Sequence, residues 1–210
     1  MKNEKEKWDE SFVYKYDLIR EVNLEGKILE LGTGNRMIQL LSKHKEYFMS
    51  EDYLGYDLYP PNTSKLNILK GNILELDFKA NSFDLIICFD VLEHIQLDNW
   101  LLLSEKIKKW LVSHGLFIFT VPYNEVAYLR ESVIRDMPKH IVFGIREKTI
   151  NQFFSGVSMK IYSHPYLWGI SGENLLWRIC RGMKRVLKHD SFMKHTLYCK
   201  WVKRSQIEVR

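Results

Sequence analysis

Two glycines follow a short apolar segment near the start of the chain, in the run Glu30-Leu-Gly32-Thr-Gly34. Glycine lets the backbone turn tightly and approach a ligand, because no Cβ stands in the way. A helix that begins near Asn35 would direct its positive end to the same place, which suits a carboxylate or a phosphate. The run therefore predicts a ligand-binding loop, with a plain strand-to-helix turn as the alternative.

An acidic residue stands at the distance from this loop that a nucleoside cofactor requires. Asp57 comes 23 residues after Gly34, close to the roughly 20 residues at which an acid reaches the ribose hydroxyls of such a cofactor. The tripeptide Gly71-Asn72-Ile73 supplies an amide and an aliphatic side chain that could flank an adenine ring. These residues predict an adenosine-containing cofactor, whereas a solvated loop aspartate is the alternative for Asp57.

The elements that must position these residues alternate between strand and helix from residue 27 to residue 163. Apolar runs predict seven strands: 27–31, 53–57, 66–69, 83–89, 116–121, 158–163 and 196–202. Helices are predicted at 8–22, 35–44, 98–111 and 148–154. This order predicts an α/β fold with a Rossmann-like, doubly wound, mostly parallel seven-stranded sheet, helices on both faces and an antiparallel last strand.

The ordered motifs resemble those of class I methyltransferases, which use S-adenosylmethionine and release S-adenosylhomocysteine. They are Glu30-Leu-Gly-Thr-Gly34, Asp57, Gly71-Asn-Ile73, Phe83-Asp-Leu-Ile-Ile87 and Val91-Leu-Glu-His-Ile95. The resemblance covers about residues 27–165. It is strongest to the branch that contains ubiquinone-biosynthesis O-methyltransferases, to which Val121-Pro-Tyr123 is also similar.

The resemblance implies a set of cofactor contacts. They are Glu30, Gly32 and Gly34 at the methionine part, Asp57 at the ribose, Leu58, Asn72 and Ile73 at the adenine, and Asp90 beside the sulfonium and amino group. Arg36 departs from the family pattern, because many members carry a third glycine there. A nicotinamide dehydrogenase is the rival from the same fold, but its fingerprint needs a third glycine where this chain has Met37.

Two histidines are candidates for the proton transfer that methylation of a hydroxyl requires. His94 is the first candidate for the general base and His140 the second. Small-RNA 2′-O-methyltransferases show a similar spacing of two acids and two histidines and use it to hold a divalent metal ion. Asp90, Glu93, His94 and His140 could do the same, although the first acid here is Asp and metal dependence stays open. Other acceptor-pocket candidates are Tyr14, Tyr16, Tyr123, Tyr128 and Arg130.

The 210 residues predict one methyltransferase domain. Its expected parts are an N-terminal helical lid (1–24), a cofactor-binding core (25–165), a basic helical insertion (166–194) and the last strand (195–204). The absence of a long apolar run and the charged first residues predict a cytoplasmic protein. The expected acceptor is a small molecule, a sugar or a lipid-linked intermediate. An RNA-modifying methyltransferase and a non-catalytic cofactor-binding module are the alternatives.

The net charge of +5 is distributed unevenly along the chain. The last 36 residues carry ten Lys/Arg and two acids, a net charge of +8, while the remaining residues sum to −3. Within this region, residues 173–189 predict an amphipathic helix with a basic face. That helix could contact an anionic membrane surface or a polyanion, or it could pack on the domain and leave its charges in water.

Overall fold

The computed structural model describes residues 19, 22, 26–34, 52–60, 67–124, 140–165 and 193–203. Within them lie strands β1 (Ile28–Leu31), β2 (Tyr53–Asp57), β3 (Ile68–Lys70), β4 (Phe83–Phe89), β5 (Leu111–Pro122), β6 (Ser158–Pro165) and β7 (Met193–Val202). Helices α1 (Asp98–Trp110) and α2 (Glu147–Phe153) and a short 3₁₀ turn (Leu92–His94) complete the described elements. Every predicted strand is therefore present.

The strands form one sheet with the order β3-β2-β1-β4-β5-β7-β6. Strands β1 to β5 pair in parallel, and β7 runs antiparallel to both β5 and β6. The strand order reverses between β1 and β4, where consecutive connections leave in opposite directions. In open α/β sheets, ligands bind beyond the carboxyl ends of the strands at such a reversal. The predicted cofactor motifs follow β1, β2, β3 and β4 and so lie along that edge.

The core forms where α1 covers the centre of the sheet. The residues of β4 from Leu85 to Phe89 are all buried, as expected of a parallel strand covered on both faces. Helix α1 buries Trp100, Leu103, Ile107 and Trp110, which recur at helical spacing. Because α1 packs on the middle strands, the residues at their carboxyl ends have a rigid support.

β6 extends two residues beyond its predicted end, to Pro165, and three other strands begin at least two residues away from their predicted starts. β3 begins at Ile68 because its pairing with β2 runs from Gly55–Ile68 to Asp57–Lys70. β5 begins at Leu111, directly after α1, because Leu111 pairs with Phe83 before an irregularity that ends where Leu116 pairs with Leu85. β7 begins at Met193, two residues inside the predicted insertion 166–194, because its ladder with β6 extends to the Pro165–Met193 pair.

Several predictions lie outside the described residues. These are the helix 35–44 with Asn35 and Arg36, most of the leading helix, the basic helix 173–189, and Tyr14, Tyr16, Tyr128 and Arg130. From the leading segment, Ile19 and Val22 are described, and both are buried. In the described part of the chain, no helix combines the length and the apolar character needed to cross a membrane.

Candidate cofactor and acceptor site

The loop after β1 adopts a backbone that favours its two glycines. Gly32 has a φ of +75° and Gly34 a φ of +55°, both in the left-handed region that L-residues rarely adopt. A Cβ on Gly32 would overlap Cγ2 of Val91, whereas a Cβ on Gly34 would meet no described residue within 4 Å. The loop therefore packs against the residue after Asp90, and it brings the carboxyl ends of β1 and β4 together.

Asp57 closes the same site from the end of β2. Its Oδ2 accepts a hydrogen bond of 2.9 Å from the backbone N–H of Gly34, and its Oδ1 accepts one of 2.7 Å from Tyr59. The bond from Gly34 holds the carboxylate against the glycine loop, while the contact of Asp57 with the ribose stays a prediction. Leu58, beside it, is 53% exposed and leaves apolar surface at this point.

Glu30 lies at the base of the loop, inside the sheet. It is 1% exposed, and the hydroxyl of Tyr53 donates a hydrogen bond of 2.5 Å to its Oε2. Burial raises the pKa of the Tyr53 phenol far above its usual range, and the neighbouring Glu30 carboxylate raises it further. A Cβ on Gly55 would approach the Tyr53 hydroxyl to 2.9 Å. Tyr53 thus holds the Glu30 carboxylate, while the contact of Glu30 with the methionine part stays a prediction.

The segment after β3 lies next to Asp57, because Gly71 N–H donates to the Asp57 carbonyl at 3.0 Å. The Asn72 side chain accepts a bond from Leu74 N–H and donates one to Glu75. Ile73 is 8% exposed and packs into the core, so little of it is open to a ligand. The geometry explains how Asn72 shapes this turn, and the adenine contacts of both residues stay predictions.

Asp90 occupies the carboxyl end of β4 in a strained conformation. Its φ is +53°, which is uncommon for a residue other than glycine. The hydroxyl of Thr120 on β5 donates a hydrogen bond of 2.7 Å to its Oδ1. Strain of this kind persists where surrounding contacts hold it, and it often occurs at ligand sites.

Three residues of the predicted catalytic or metal set converge beyond Asp90. Ligand atoms of Glu93, His94 and His140 all lie within 4.8 Å of one another. His140 Nε2 lies 3.7 Å from Glu93 Oε1, and the rings of His94 and His140 meet edge to face with 4.8 Å between centroids. The carbonyl of Glu93 accepts bonds from the backbone N–H groups of Ile141 and Val142. This docking fixes His140, 46 residues away in sequence, beside His94.

Burial differs among the members of this cluster. Glu93 is fully buried and His140 is 9% exposed, whereas His94 is partly exposed. His94 is therefore the member that a ligand can reach most easily. Asp90 is not within this group, so the described geometry brings together three of the four candidate ligands, and metal binding stays a prediction.

Three residues that shape the site were not identified from the sequence. Tyr53, Val91 and Thr120 act on Glu30, Gly32 and Asp90 across neighbouring strands. The one available signal was Thr120, a polar residue within the apolar run 117–122.

Comparison with known proteins agrees with this architecture. The profile of the methyltransferase domain matches residues 14–162. An uncharacterised protein of Methanocaldococcus jannaschii is 33% identical over 119 residues, which cover 56% of this chain and 51% of that protein. The chain thus aligns with about half the length of this relative.

Solved structures share the fold at low sequence identity. The YcgJ protein of Bacillus subtilis has a TM-score of 0.62 at 16% identity, with 92% of this chain and 100% of that chain covered. A SAM-dependent methyltransferase of Archaeoglobus fulgidus has a TM-score of 0.62 at 13% identity, covering 95% and 97%. Phosphoethanolamine N-methyltransferase 2 of Haemonchus contortus, in complex with S-adenosyl-L-methionine, has a TM-score of 0.55 at 15% identity, covering 91% and 53%. The predicted fold is confirmed.

Proposed function

Because the chain belongs to the methyltransferase-domain family, we propose that it transfers a methyl group from S-adenosylmethionine to an oxygen atom of its acceptor. The observation that most supports S-adenosylmethionine as the methyl donor is the hydrogen bond between Gly34 N–H and the Asp57 carboxylate. It joins the loop suited to the methionine part to the acid suited to the ribose. The Haemonchus contortus relative, which has the same fold, binds this cofactor.

The acceptor half of the proposal rests on the Glu93–His94–His140 cluster. A hydroxyl must lose its proton as its oxygen attacks the methyl carbon, and an imidazole is suited to accept that proton near neutral pH. His94 takes the proton, because it is the more exposed histidine. The carbon–sulfur bond then breaks, its electron pair stays on sulfur, and S-adenosylhomocysteine leaves. The Glu93 carboxylate, buried beside His140, stabilises the positive charge that develops on the histidine pair.

The proposed acceptor is a small molecule, a sugar or a lipid-linked intermediate. Ile141 and Phe143, which follow His140 in the chain, support an acceptor with an apolar portion, because their side chains are 50% and 36% exposed. The ring centroid of Phe143 lies 6.4 Å from that of His140. An apolar group held there would lie next to the proposed base. The likeness to ubiquinone-biosynthesis O-methyltransferases fits such an acceptor and remains part of the proposal.

Replacement of His94 tests the acceptor half. We expect His94→Ala to lower the methyl-transfer rate by about 10² or more, because the transition state loses its proton acceptor. The affinity for S-adenosylhomocysteine should change little. His114→Asn is the matched control, since His114 is exposed on β5 at a φ of +65°, which asparagine tolerates. Near-normal turnover of His94→Ala, measured with the identified acceptor, would contradict the assignment.

The close grouping of Glu93, His94 and His140 also favours a second way of activating the acceptor. One carboxylate and two imidazoles form a ligand set that suits manganese, iron or zinc, and their ligand atoms lie within 4.8 Å of one another. A bound ion there would polarise the acceptor hydroxyl and lower its pKa. The three side chains would then hold the ion.

Titration of chelator-treated protein with Mn²⁺ distinguishes these two mechanisms. Saturable binding that is lost in His140→Ala, together with loss of turnover after chelation, would assign the cluster to the metal. Full turnover after chelation and no Mn²⁺ binding would assign it to the imidazole base. In both outcomes, turnover means the rate of methyl transfer, which is measured in a separate assay from Mn²⁺ binding.

A further inference from the structure

Thr120 is a polar residue in the most deeply buried part of the sheet. The residues of β5 from Phe117 to Pro122 are all buried, and Thr120 is 0% exposed. It pairs with Phe89 on β4 and with Tyr198 on β7, so strands on both sides fix its backbone. A buried hydroxyl needs a hydrogen-bond partner to offset the loss of water. Here that partner is Asp90.

Three hydrogen bonds join Thr120 to Asp90. The Thr120 hydroxyl donates to Asp90 Oδ1 at 2.7 Å. The Asp90 N–H is shared between Thr120 Oγ1 at 3.1 Å and the Thr120 carbonyl at 3.2 Å. The hydroxyl thus binds both the main chain and the side chain of Asp90. This double attachment defines the backbone angle of Asp90 and the orientation of its carboxylate together.

The conformation that these bonds hold is unfavourable by itself. Asp90 has a φ of +53°, in the left-handed region that residues other than glycine uncommonly adopt. Without the hydroxyl, the carboxylate would lose a donor and the turn after β4 would lose one of its anchors. The Asp90 N–H would keep its bond to the Thr120 carbonyl, but the carboxylate would be less firmly oriented.

The position of Asp90 connects this arrangement to the ligand site. The next residue, Val91, packs against Gly32 so closely that a Cβ on the glycine would overlap it. Asp90 therefore stands beside the glycine loop at the reversal of strand order. We propose that Thr120 is a positioning residue for the methionine part of the cofactor, acting through the carboxylate of Asp90. This inference rests on the proposed use of S-adenosylmethionine and adds a residue to that site.

Two ligands separate a positioning role from a merely structural one. S-adenosylhomocysteine carries the amino acid part, whereas 5′-methylthioadenosine lacks it. We expect Thr120→Val to weaken S-adenosylhomocysteine about tenfold and to leave 5′-methylthioadenosine within twofold, as measured by calorimetry. Thr120→Ser keeps the hydroxyl and should stay within threefold of the parent for both ligands. Thr149→Val on α2 is the control for the same chemical change elsewhere in the chain.

The double variant Asp90→Asn/Thr120→Val identifies the route of the effect. If Thr120 acts through Asp90, its substitution should add little to the loss in Asp90→Asn alone, because the two residues are coupled. Equal weakening of both ligands, unchanged binding in Thr120→Val, or fully additive losses would each overturn the inference. If Thr120→Val does not fold, Thr120→Ala serves for the same comparison. Failure of the parent protein to bind S-adenosylhomocysteine would instead refute the proposed function.

Discussion

Two of the carboxylates predicted to contact the cofactor are oriented by hydrogen bonds within the protein. Asp57 accepts hydrogen bonds from the backbone N–H groups of Gly34 and Tyr59, and Asp90 accepts one from the hydroxyl of Thr120. Side chains held in this way lose little further freedom when a ligand binds, which favours affinity. At the residue scale, the site is therefore prepared by bonds between neighbouring strands.

How much of the candidate site could be predicted from the sequence depends on where the contact partner of each residue lies in the chain. Asp57 was predictable because its spacing from Gly34 follows from one strand–helix–strand unit. The roles of Tyr53 and Thr120 were not predictable, because they depend on which residues face them across the sheet. That pairing is set by the tertiary fold, and no fixed spacing in the chain encodes it. His140 was a candidate by residue type and by the resemblance to small-RNA 2′-O-methyltransferases, and the fold places it beside His94.

The glycine loop and the turn after β4 form one packed unit at the element scale. Gly32 contributes both a positive φ and the absence of a Cβ against Val91, whereas Gly34 contributes the positive φ and has no described residue within 4 Å of its Cβ position. The two glycines therefore allow the effect of conformation to be separated from the effect of packing. The sequence predicted the turn, but it did not predict this difference.

We expect Gly32→Ala to destabilise the protein more than Gly34→Ala, as measured by urea unfolding. Gly34→Ala should cost roughly 1–2 kcal/mol from its backbone angle alone. Gly32→Ala should cost about 1–3 kcal/mol more, because the new methyl group overlaps Val91. Gly32→Ala combined with Val91→Ala should recover part of that loss. Equal costs for the two single variants would contradict the described packing.

Element bounds were predictable where local signals were strong. The apolar run of β4 and the helical spacing of α1 gave bounds within one residue of those observed. The start of β5 was not predictable in this way. The sequence interpretation took Gly115 as the connection between helix and strand, whereas Leu111 already joins the sheet by pairing with Phe83. A long-range pairing of this kind overrides the local signal.

Charge is distributed unevenly over the whole molecule. The last 36 residues carry a net charge of +8 in a chain whose total is +5. We propose that residues 173–189 contact an anionic membrane surface or a polyanion through their basic side chains. Binding to a polyanion of that kind falls steeply as salt rises, because counterions are released.

Charge reversal in this segment tests that proposal. We expect Arg178→Glu/Arg181→Glu/Arg185→Glu to elute from heparin at clearly lower salt than the parent. Lys108→Glu/Lys109→Glu on α1 is the control with two changed charges outside the segment. Elution of both variants at the same salt would remove the segment from any anionic contact. Strong, salt-sensitive binding of RNA by the parent would favour an RNA substrate over a small-molecule acceptor.

The most direct measurement is a calorimetric titration of the protein with S-adenosylhomocysteine, run beside NAD and beside the variant Asp57→Ala. We expect one-to-one binding of S-adenosylhomocysteine, no binding of NAD, and at least tenfold weaker binding in Asp57→Ala, about 1.4 kcal/mol or more. Asp77→Ala, which removes an exposed carboxylate paired with Lys109, should bind like the parent. Absence of S-adenosylhomocysteine binding, or equal binding of NAD, would contradict the proposed use of S-adenosylmethionine.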